Sequence, residues 1–199
     1  MNLTYPKAPS NGVQTLRPAL QATLQTRGFG ANRQFANASP AKISLSEAWR
    51  GYSLSLEDLS NGKGLQDARV GDWHYLVFAD GVTIADAQLA EVRGHVEFAS
   101  LNHGSLAAAA VGALKLAEQS APLQGKTVEP RLLFVSALHV VAIWLHADGE
   151  DLLIPIEPTP KELATTRLYS EAALLALLKP AADKAKQRFD ADTSGLLGS

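Results

Sequence analysis

Cysteine is absent from the 199 residues. That absence removes disulfide bonds, thiolate nucleophiles, iron–sulfur clusters and thiolate zinc sites together. An excess of positive charge is missing too. Eighteen Lys and Arg face twenty Asp and Glu, for a formal net charge of −2, so no global positive field draws the chain to nucleic acid or anionic lipid. No uninterrupted apolar run reaches the ~18 residues of a membrane span. The opening MNLTYPKAPSNG has Lys7 but no apolar run behind it, so neither a secretory signal nor an anchor is expected.

Several motifs are incomplete. QGKT, ending at Thr127, closes like a phosphate loop, but Ser120 stands where the first glycine is required, and the segment leads from helix to strand. GFGANR and NGKGLQD each lack the third glycine of a dinucleotide fingerprint. The pair His95 and Glu97 forms the H-x-E of zinc deaminases without the P-C-x-x-C that holds their metal. NAS at Asn37 has no secretory context and is followed by Pro40. The expectation is one soluble, cytoplasmic domain with no cofactor and no nucleic-acid or membrane partner, leaving another protein as the open partner class.

What is present is patterning. Residues 1–12 read as a flexible arm, 13–190 as a single domain and 191–199 as a disordered tail. Pro18 suits a first helical turn, with Leu16, Leu20 and Leu24 on one face and Gly28 as the stop. A strand is expected at Trp49–Leu56, followed by one capped turn stopped at Asn61 and Gly62. WHYLVFADGVTIADAQLAEV is two strand-like runs joined by Asp80-Gly81, a dipeptide that favours a two-residue hairpin because both positions tolerate positive φ. Ser105 then stands as N-cap to an Ala-rich helix, 105–119, whose small residues let it approach a sheet closely.

The stretch RLLFVSALHVVAIWLHADGEDLLIPIEP, 131–158, is too long for one strand and is expected to bend at Ser136 and Ala137. Val140–Leu145 is apolar at odd and even positions, so both faces of that strand must be covered. ADGED, 147–151, turns the chain, and Pro155 favours an edge for the returning strand. His146, Asp148, Glu150 and Asp151 fall at the hairpin mouth, where charges are solvated. Tyr169–Leu178 reads as helix capped by Ser170, with Pro180 starting or kinking a second piece. The predicted fold is α+β: an antiparallel sheet of hairpins at about 73–99 and 131–156, the 105–119 helix on one face and the C-terminal helices on the remainder.

Few residues carry chemistry. Asn102, His103 and Ser105 stand where a helix begins and could bind an anion or other small ligand on exposed backbone N–H groups. On a strand His95 and Glu97 share a face, and His103 could join them in a two-histidine, one-carboxylate metal site. Ordinary structural roles explain the same residues as cap, turn and solvated strand. His74 and His139, inside apolar runs, read as hydrogen-bonded core or half-buried histidines. No catalytic residue is assigned. The sequence therefore favours a non-enzymatic interaction or regulatory protein, accessory or inhibitor-like, with a small-molecule-binding protein or hydrolase near the N-terminus of the 105–119 helix as the alternative.

Overall fold

A computed structural model describes residues 1–25 and 42–191, with Leu24 and Gln25 described by backbone alone. The expected stop at Gly28, the sequon at Asn37 and the C-terminal tail lie outside the described residues. Along the chain the elements are β1 (Asn2–Leu3), α1 (Gly12–Gln25), β2 (Ile43–Leu45), β3 (Trp49–Ser53), α2 (Leu56–Ser60), β4 (Arg69–Ala79), β5 (Val82–Val92), β6 (His95–Asn102), α3 (Leu106–Gln119), β7 (Thr127–Val135), β8 (Val140–Ala147), β9 (Glu150–Ile156), β10 (Tyr169–Ser170) and α4 (Glu171–Ala191). The fold is α+β, as the pattern predicts.

The strands form one open, mostly antiparallel sheet in the order β10-β9-β8-β7-β3-β4-β5-β6, with β1 beside β7 and β2 beside β4. Two meanders build it. In β4–β5–β6 the turns are Asp80-Gly81 and Arg93-Gly94, each with positive φ at both residues, which matches the right-handed twist of paired strands. In β7–β8–β9 the predicted bend at Ser136 is a full reversal: a 3-10 turn over Ser136–Leu138 ends at His139 in the left-handed region, φ 52°. β3 joins the meanders, antiparallel to β4 and parallel to β7.

Both faces are covered. On one, Ala107, Ala110, Ala113 and Ala117 of α3 pack with Leu76, Leu132, Ile143, Leu145 and Ile154. On the other, Leu16 and Leu20 of α1 cover β4–β6, while Leu174, Leu178 and Ala182 of α4, with Leu59 of α2, cover β7–β9. Ile143 and Leu145 belong to the first layer, and Val140, Ala142 and Trp144 to the second. That is the two-faced burial the apolar run demands.

Local expectations divide. α1 begins at Gly12, so Pro18 lies inside it rather than in its first turn. Asn2 and Leu3, within the expected arm, pair parallel to Thr127 and Val128. Pro180 sits within the single helix α4; Ala176, whose carbonyl it leaves without a helical donor, is exposed to water. Ser170 caps that helix by accepting from the Ala173 N–H at 3.3 Å. Leu177 points outward at 52% exposure. β10 pairs only with Leu152 and Leu153, so Pro155 lies beyond it, where no further strand needs its missing donor.

α2 is held by a capping box. Ser55 Oγ accepts from the Asp58 N–H, and the buried Asp58 carboxylate accepts from the Ser55 N–H and, at 2.8 Å, from Lys63 Nζ. Those hydrogen bonds, Lys63 first and Ser55 next, hold its carboxyl well below the usual carboxylate range. Asp58→Ala is expected to lower stability by about 1–2 kcal/mol at neutral pH. A depressed folded-state pKa stabilises fully above the unfolded value, about 4, and the contribution fades as pH falls below it. Urea melts should show the wild-type advantage shrinking with acid; a gap independent of pH would refute the assignment.

Candidate functional site

The polar core lies on the α3 face of β4, β5 and β6. His74 and Asp86 are buried, at 3% and 1% exposure. His74 pairs with Gln88 and Leu76 with Asp86, so histidine and aspartate are diagonal neighbours on one face. His74 Nδ1 lies 3.0 and 3.1 Å from the two Asp86 oxygens. Nδ1 faces that carboxylate and Nε2 the opposite side; with Nδ1–H donated, the neutral tautomer has Nε2 as an acceptor.

A chain of bonds runs outward from Asp86. Gln88 Nε2 donates to Asp86 at 3.0 Å, Ser100 Oγ donates to Gln88 Oε1 at 2.9 Å, and Asn102 Nδ2 donates to Ser100 Oγ at 3.2 Å. Every donor points toward the buried carboxylate, so the network is satisfied from an exposed amide down to the core. A register shift in β6 makes this possible: Gln88 pairs with Ser100, but Leu89 pairs with Phe98. The extra residue, Ala99, places Ser100 and Asn102 on the polar face and Val96 and Phe98 on the other.

The other edge of His74 opens onto a pocket of about 260 Å³ lined by Gly51, Ser53, Gly71, Asp72, Gln88 and Phe134, among others. Gly51 sits at a second register shift, between β3 and β4. A Cβ there would stand 3.0 Å from His74 Nε2 and 3.1 Å from the Asp72 carbonyl, so glycine keeps the space before Nε2 clear. The Phe134 ring stacks on the imidazole, centroids 5.4 Å apart at 24°. Tyr52 also lines the pocket but turns its ring to the opposite face, edge-on to Trp144 at 5.0 Å.

On that opposite face two arginines mark the seam between the α1 and α4 layers. Arg50 and Arg131 are register partners on β3 and β7. Arg50 stacks on Trp73 at 4.4 Å and bonds Glu91 at 3.1 Å; Arg131 stacks on Trp144 at 4.6 Å and bonds Glu129 at 2.5 Å. Each cation has its own carboxylate and ring, so the seam is balanced. A larger cavity, about 620 Å³, lies between α1 and β2 and reaches Tyr75, whose hydroxyl pKa is raised by burial and then by Glu47. Arg17 and Glu47 also line it.

The residues predicted from sequence are scattered more widely. Asn102 is exposed and ends the hydrogen-bond chain. Ser105 occupies the cap position of α3 with helical angles, φ −67° and ψ −16°, and its side chain makes no cap bond; only its carbonyl serves the helix, accepting from Ala109 N at 2.8 Å. His103 lies half-buried between them. His95 and Glu97 are exposed on β6 and share a face, pairing with Val92 and Ala90. Among the described residues no three His, Asp or Glu side chains are placed to hold a metal ion. His74 is the hydrogen-bonded core histidine expected, whereas His139 is exposed in its turn.

At the β8–β9 hairpin mouth Asp148 and Glu150 are exposed, and Asp151 receives both His146 Nδ1 and Trp144 Nε1 at 2.7 Å. The charges there are neighbours of one another rather than parts of a pocket. Comparison with protein-family models, curated proteins and solved structures finds no match to the chain.

Proposed function

We propose that the protein binds a small polar molecule in the pocket over His74, with imidazole Nε2 as the acceptor that orients it. The observation that carries this reading is a histidine locked by a buried carboxylate on one edge and facing an open pocket on the other. A buried network that serves packing alone does not require a glycine to keep the outer edge of its histidine clear. Fragment screening by NMR, observing the His74 ring and the Gly51 amide, tests it. Gly51→Ala is expected to weaken any hit at least tenfold by intruding on Nε2, without unfolding the chain. Undiminished binding in that folded variant would place the ligand elsewhere.

A second reading, an interaction or regulatory protein, draws on β6. This eight-residue strand ends the sheet and presents backbone groups that another chain could pair with. A partner bound by this route should slow hydrogen exchange along 95–102 more than elsewhere. Protection confined to another surface would defeat the β6 reading.

A further inference from the structure

The geometry points to a small organic cation, a primary amine, as the ligand of the His74 pocket; this rests on the proposed binding site and specifies its chemistry. Three features converge. The pocket lining contains one acidic residue, Asp72, which stands two positions from His74 on β4 and so shares its face. Asp72 is half-buried, and its side chain forms no ion pair or hydrogen bond among the described residues. The imidazole beside it commits Nδ1 to Asp86; in its neutral tautomer Nε2 is then an acceptor.

The lining also lacks a competing cation. No lysine or arginine contributes to it, and Arg69, three residues back along β4, reaches toward Asp58 at 4.0 Å instead. Phe134 supplies an aromatic surface at the wall, to which an ammonium group or the apolar body of an amine is attracted. A carboxylate ligand would meet Asp72 as a like charge and would offer Nε2 no proton. A neutral alcohol could donate to Nε2 but would leave Asp72 without an ionic partner. An ammonium group donates three hydrogen bonds and carries the charge that Asp72 lacks.

Benzylamine, benzyl alcohol and benzoate share shape and differ in charge, so they separate the alternatives. Each is titrated into the full chain at constant ionic strength while the His74 ring and Gly51 amide signals are followed. The expected result is saturable shifts with benzylamine, at least tenfold weaker binding of the alcohol and no shift with benzoate. Asp72→Asn and Asp72→Ser, each checked for wild-type circular dichroism, should weaken benzylamine at least tenfold. Saturation by the alcohol or benzoate as tightly as by the amine, or an amine affinity unchanged in both folded Asp72 variants, overturns the cation assignment while leaving the binding site in place. Failure of all three probes to shift either signal overturns the site and its assigned ligand together.

Discussion

Removing residues 170–199 is expected to make the chain aggregate. The deletion takes away α4, whose Leu174 is fully buried and whose Leu178 is 3% exposed. Each buried leucine contributes roughly 1.5–3 kcal/mol, and a domain's whole stability is about 5–15 kcal/mol. The deletion also uncovers the second face of β7–β9, where Val140, Ala142, Trp144 and Leu153 lie. A broad apolar patch on a sheet is an association surface. Point substitutions sharpen the test: Leu174→Ala should cost about 2–5 kcal/mol, whereas Leu177→Ala, on the wet side of the same helix, should stay within about 0.5 kcal/mol. Light scattering on the truncated chain and thermal melts of the variants decide the matter. A truncated chain that remains folded and soluble, as monomer or dimer, would defeat this account of the second face.

Much of this architecture is legible in local pattern. The unbroken apolar run of β8 announced coverage on both faces, and the structure supplies it from α3 and α4. Asp80-Gly81 announced a hairpin because glycine and aspartate accept positive φ; Arg93-Gly94 makes the same kind of turn with a residue that gives no such signal. Pro18 misdirected the start of α1, since proline favours a first turn without being confined to it.

The polar site was hidden by register. From the Asp80-Gly81 turn, Ala79 pairs with Val82 and Phe78 with Thr83; counting onward would set His74 against Ala87 and place Asp86 on the opposite face. The ladder slips between Val77 and Phe78, leaving Ile84 as the extra residue, and His74 then meets Gln88. One residue of slip exchanges the faces of a strand. Only the bulge puts His74 and Asp86 together. A signal did exist: Asp86 and Gln88 on β5, and Ser100 and Asn102 on β6, recur at the strand period of two, which marks one polar stripe across two strands. Asn102 stands near a helix start, but its link to the buried carboxylate runs through that stripe.

The buried pair should show strong coupling. Asp86→Leu removes the acceptor from His74 Nδ1 and from the Gln88 amide, and His74→Leu leaves the Asp86 carboxyl group with Gln88 as its one remaining side-chain donor among the described residues. Removing one partner of a buried pair typically costs about 3–5 kcal/mol, whereas replacing both by apolar residues of similar volume is often near neutral. Each single variant is therefore expected to be less stable than the double variant His74→Leu, Asp86→Leu, in which leucines extend the apolar layer of Leu76 and Trp49. Urea denaturation of all four proteins completes the cycle. Additive losses, with the double variant the least stable, would show that the two side chains do not act as a pair. Benzylamine titration of the double variant then separates stability from binding. The folded protein should no longer bind, because the acceptor that faces the pocket is gone even though the core that surrounds it is intact.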